Sequence, residues 1–127
     1  MEELRRQFEL SFKAPLNFQE LFIDTIALGS KCGHYPGKML KQQDQVITWS
    51  TRRDIVSLLK WLQSSNTETQ LYAVRGFHYL LLRGIEIKEE TRIILRNVIT
   101  KKGTVFTCIP CDLRITSISE VVKGFKF

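Results

Sequence analysis

Two thiols two residues apart, in Cys108-Ile109-Pro110-Cys111, form the sharpest chemical motif of this 127-residue chain. Such spacing lets two sulfurs close a reversible disulfide or supply one edge of a tetrahedral zinc site. Cys32-Gly33-His34 offers a third thiol and an imidazole. Cys32, His34, Cys108 and Cys111 together therefore have the ligand count of a structural zinc centre. The single residue between Cys32 and His34 is tighter than the usual spacing, and the two halves lie far apart in the chain. No motif requires a cofactor, and zinc is the one these residue types could hold. The competing reading makes Cys108 and Cys111 small, partly buried hydrophobes and puts Cys32 and His34 on a loop. An odd count of three cysteines suits a reduced protein better than a secreted disulfide framework.

Cys-x-Pro-Cys after a β-type stretch is similar to the thioredoxin active-site motif, which implies thiol–disulfide exchange. In that fold the motif opens a helix, whose dipole lowers the first thiol's pKa. Here Asp112-Leu113-Arg114-Ile115-Thr116 follows, with no strand–helix–strand pattern around it. Other catalytic routes find few residues. The two histidines are His34 and His78, and His78 sits between Phe77 and Tyr79 inside a helical pattern, where packing explains it. No nucleophile elbow, metalloprotease helix, phosphate loop or dinucleotide fingerprint occurs. Glu86, Glu89 and Glu90 read as charges at a helix start. A non-enzymatic chain is expected.

Nineteen Lys/Arg against thirteen Asp/Glu leave a net charge of +6, weighted mildly to the C-terminal half, with no run of five like charges. Arg75, Arg83, Arg92, Arg96, Lys101 and Lys102 fall on adjacent helices, and Arg92 and Arg96 are one turn apart on a shared face. With Tyr72 or Tyr79 nearby, such a face could hold phosphates and stack a base, making nucleic acid one candidate partner. A solvated helix face accounts for the same residues.

The elements that would position these groups follow from periodicity and caps. Leu4, Phe8 and Phe12 mark a first helix that ends before Pro15. Leu16-Asn17-Phe18-Gln19-Glu20-Leu21 opens a second, running to Gly29. From Gly29 to Thr48 the pattern is irregular, with a polar Gln42-Gln43-Asp44-Gln45 run. Met39 and Leu40 mark a short helical turn at most, and Val46–Trp49 reads as briefly extended. A segment this long without periodicity is often functional. It is the main candidate for a recognition loop, with His34, Tyr35, Lys38 and Lys41 as contacts beside Arg92 and Arg96. An inserted surface loop with no role is the competing reading.

Helices resume at Thr51, with Thr51 and Asp54 offering a cap and Ile55, Leu58, Leu59 and Leu62 forming a stripe. Thr67-Glu68-Thr69-Gln70 reads as a capping box. The helix it opens is apolar on more than one side, hence central, and ends at Gly84 in a left-handed position with Ile85 folding back on Leu80. The next helix runs from Glu89 to Thr100, with Ile93, Ile94, Val98 and Ile99 inward and Lys101-Lys102-Gly103 closing it. Thr104–Ile109 is β-branched and aromatic, fitting a strand that Pro110 ends and that either pairs with Val46–Trp49 or lies over the helices. Ser117-Ile118-Ser119-Glu120 is a capping box before a last helix.

The capped amphipathic helices of Thr51–Thr100 are similar to HEAT and armadillo α-solenoid repeats, a resemblance resting on pattern over about residues 51–100. It implies hairpins of packed helices that bind protein partners, or less often DNA, through successive inner helices. The expected fold is mostly α: one domain over 1–127, a compact bundle of five to six antiparallel helices with a short extended segment near 104–109. No apolar run is long enough for a membrane span, and the N-terminus does not read as a signal peptide, so a cytoplasmic chain is expected. The expected function is a protein-interaction module (an adaptor, inhibitor or immunity-type protein). A zinc or thiol-redox domain around Cys108 and Cys111 and a nucleic-acid binder stand as alternatives.

Overall fold

The computed structural model describes residues 2–17, 41–109 and 112–127. These segments form a mostly helical fold with a small antiparallel sheet. In chain order they are α1 (Glu2–Phe12), α2 (Lys41–Thr51), α3 (Ile55–Leu62), α4 (Thr67–Leu82), α5 (Glu89–Ile99), β1 (Thr104–Ile109), β2 (Asp112–Ser117) and α6 (Ile118–Val121). The helix expected from Leu16 to Gly29 lies beyond Asn17 almost entirely outside the described residues, as does the irregular stretch up to residue 40.

The core is built around α4, whose Leu71, Tyr72, Ala73, Val74, Phe77 and Leu80 are all at most 2% exposed. α2, α3, α5 and β1 pack against it. A helix apolar on several sides must be surrounded, as its pattern predicts. From the neighbours come Val46 of α2, Leu58 and Leu62 of α3, Ile94, Leu95 and Val98 of α5, and Val105 of β1. On α5 the buried face turns toward Leu95, leaving Ile93 41% exposed instead of inward. Asn97, beside that face, donates to the Ser11 carbonyl at 2.9 Å and so fixes α5 against the end of α1. From α1, Phe8 and Phe12 enter the core with rings 4.8 Å apart, while Leu4 stays 44% exposed.

Val46–Trp49 is helical, not extended. It belongs to α2, where Gln43, Val46 and Ser50 line the buried face at helical spacing. Propensity alone misleads here, because Val46, Ile47 and Thr48 are β-branched and the preceding run is polar. Tertiary contacts decide: Val46 is fully buried and Gln43 is held by hydrogen bonds to α4. Trp49 and Trp61 meet edge to face, with centroids 4.8 Å apart, and join α2 to α3. The strand expected near 104–109 accordingly finds another partner. β1 pairs with β2, from Thr104↔Ser117 to Ile109↔Asp112.

The α4 cap also shifts by one residue. Asn66 is the N-cap, its side chain accepting from the Thr69 N–H at 2.9 Å, while Thr67 is already helical. Gln70 does not reach back to a cap. It is fully buried and donates to the Leu62 carbonyl at the end of α3. At the other end of α4 the expected turn forms. Gly84 has φ +76, its N–H reaches the Leu81 carbonyl, and Ile85 N–H reaches the Leu80 carbonyl. This double closure satisfies carbonyls that the helix end would leave orphaned. Asp54 caps α3 by accepting from Ser57, and Ser117 caps α6 by accepting from Glu120.

Candidate functional site

The β1–β2 hairpin presents apolar side chains to solvent on one of its faces. Thr104, Val105, Phe106 and Thr107 on one strand, and Ile115 and Thr116 on the other, are the residue types that fit a pleated surface. Directly paired residues share a face of the sheet. Val105, opposite Thr116, is buried against the helices, and the Thr107 and Thr116 hydroxyls meet at 2.7 Å. The other face carries Phe106 directly opposite Ile115, 40% and 68% exposed.

The two edges of the hairpin differ. The Phe106 N–H donates to the Glu68 carboxylate of α4 at 3.0 Å, so it points away from β2. Phe106 and Ile115 are therefore a non-hydrogen-bonded pair, and the Ile115 N–H and C=O project from the far side of β2. No described residue hydrogen-bonds to those two groups. Beyond α6 the chain turns back to the helices: Phe125 lies edge to face on His78 at 5.0 Å, and the Phe127 carbonyl accepts from Arg96 at 3.1 Å. One sheet edge is thus covered by α4, and the other is open among the described residues.

The cations predicted to form a face are largely engaged in holding elements together. Arg75 donates to Gln43 at 2.8 Å and stands 5.8 Å over the Tyr72 ring, and Gln43 in turn donates to the Tyr79 hydroxyl at 3.0 Å. Arg83 reaches the Ser50 carbonyl at 3.4 Å, and Arg92 donates to the Ile87 carbonyl at 3.2 Å. Arg96 pairs with Glu89 at 2.8 Å across an exposed surface. Lys102 and Lys41 are exposed. His78, in the middle of α4, packs between Phe125 and Tyr79, as its surroundings in the sequence suggest.

Lys101 is placed where no sequence signal pointed. Its ammonium leaves the end of α5, donates to Gln70 Oε1 and to Thr67 Oγ1 (3.1 Å), and lies 4.9 Å from the Phe12 ring centroid. It therefore joins α1, α4 and the end of α5. Burial drives its pKa from 10.5 down to about 8, with the Glu68 carboxylate opposing part of the drop. The residues read as a capping box, Thr67 and Gln70, are thus the acceptors of a lysine from another element. Only the tertiary fold brings that lysine within reach.

Cys108 lies in β1, in register with Leu113, on a strand rather than at the start of a helix. Cys111 lies outside the described residues, as do Cys32, His34, Tyr35 and Lys38, so three of the four residues of the expected zinc set fall there. Among the described residues, no group of three His, Cys, Asp or Glu side chains is placed to hold a metal, and no helix is long and apolar enough to cross a membrane. Comparison with protein-family models, with curated proteins and with solved structures returns no match.

Proposed function

We propose that this chain is a non-enzymatic interaction module that binds another protein through its β1–β2 hairpin. The observation that carries this reading is the exposed Phe106–Ile115 pair beside a strand edge that no other described residue pairs with. An apolar pair at an unpaired edge offers a partner both buried area and backbone hydrogen bonds. The resemblance of residues 51–100 to HEAT and armadillo repeats supports a protein partner, although in those families the contact surface is formed by successive inner helices.

A photo-crosslinking residue at position 115, compared with one at the exposed position 56 of α3, tests the module in cells. Capture of one discrete protein from position 115, and not from 56, is the expected result. Crosslinks to RNA or DNA from both positions would replace the module reading with the nucleic-acid one.

A further inference from the structure

We infer that the open edge of β2 accepts an extended segment of a partner protein as a third strand, with acidic and apolar residues alternating along it. This rests on the module reading and specifies its ligand. The outward N–H and C=O of Ile115 can pair with an incoming backbone, and that pairing extends the β1–β2 sheet by one strand. Alternation then follows from the pleat. On the face that carries Phe106 and Ile115, an incoming apolar side chain continues the row Phe106, Ile115, ligand. On the opposite face, the β2 residue before Ile115 is Arg114, which is exposed. A carboxylate on the ligand strand meets that guanidinium and can share it with its present contacts.

The surrounding charge favours the same ligand. The molecule carries +6 overall. Residues 101–127 hold Lys101, Lys102, Arg114, Lys123 and Lys126 against Asp112 and Glu120, and Lys102 is exposed at the base of the hairpin. A second copy of this chain would instead bring Arg114 near its own counterpart across the two-fold axis, and two positive molecules would repel. Charge complementarity therefore selects an acidic strand over self-association.

The test uses fluorescence polarisation of labelled short peptides on the full chain. One peptide alternates glutamate and valine, one alternates lysine and valine, and one is the first with a central proline. The glutamate–valine peptide should bind at least about tenfold tighter than either of the others, and binding should weaken as salt rises. Ile115→Pro removes the outward N–H together with the exposed apolar side chain, at an edge position that donates no hydrogen bond to β1, and should reduce binding about tenfold or more. If that variant fails to fold, Arg114→Glu serves in its place, and it should shift the preference to the lysine–valine peptide. Equal binding of the acidic and basic peptides, or unchanged binding in both variants, would overturn the proposal. So would a concentration-dependent dimer that Ile115→Pro abolishes without any peptide binding. Each of these leaves the module reading standing if crosslinking at 115 still captures a protein, so the two can fail separately.

Discussion

Lys101 is the residue at which electrostatics and packing are most tightly joined. Its amine is held at about 8 in the folded chain, against an ordinary lysine value near 10.5 in the unfolded one. Between those values the unfolded chain binds more protons than the folded chain, so stability should rise as pH increases from about 8 to about 10.5. Below pH 8 both states are protonated, and the cost of burying the charge is constant. The gain is bounded at roughly 3 kcal/mol by the size of the shift. Urea unfolding at pH 7.5 and 10, for the native chain and for Lys101→Met, isolates it: the native chain should gain stability over that range and the variant should gain less. At pH 7.5 the variant sheds the desolvation cost but leaves the buried Gln70 carbonyl without its donor, a penalty of about 1–3 kcal/mol. A second residue-scale expectation concerns Arg53, whose φ of +56 ends α2 in the left-handed region. There Arg53 N–H bonds Ser50 O and Asp54 N–H bonds Trp49 O, the closure usually built on glycine. Arg53→Gly should raise stability by up to about 1 kcal/mol, measured as a higher urea midpoint at unchanged slope.

At the scale of elements, α3 and α4 approach closely at Gly76. A Cβ at Gly76 would collide with a methyl of Leu58, and Leu58 is fully buried. Alanine is worth up to about 1 kcal/mol over glycine inside a helix, but overpacking a filled core costs about 1–3 kcal/mol. Gly76→Ala should therefore destabilise the protein. Adding Leu58→Ala should cost less than the sum of the two single changes, because the truncated side chain vacates the site of the collision. The hairpin is anchored by a different contact, the Glu68 carboxylate on the Phe106 N–H. Glu68→Ala should speed hydrogen exchange at Phe106 and its strand neighbours while leaving exchange in α4 near that of the native chain. Were α4 to exchange equally fast, the carboxylate would be holding the helix start and not the hairpin.

At the scale of the whole molecule, one hydrophobic cluster draws residues from α1 through α6. Such a core should melt in a single step. Tryptophan fluorescence, which reads the Trp49–Trp61 contact between α2 and α3, should follow the same urea transition as far-ultraviolet circular dichroism. Separated transitions would mean that α1 or the hairpin unfolds on its own. The sequence by itself determined the parts whose signals are local. The caps at Asp54 and Ser117, the glycine closure at Gly84, the apolar breadth of α4 and the β character of Thr104–Ile109 all depend on neighbours within a few residues. It misplaced Val46–Trp49, because β-branched residues after a polar run look extended until α4 buries Val46 and bonds Gln43. It also read Arg75, Arg83 and Lys101 as surface charge, since nothing local tells a cation in solvent from one whose partner lies 30 or more residues away. Tertiary structure alone decided those pairings, the burial of Lys101 and the difference between the two edges of the hairpin. Each depends on distances between segments remote in the chain, which periodicity and propensity do not encode.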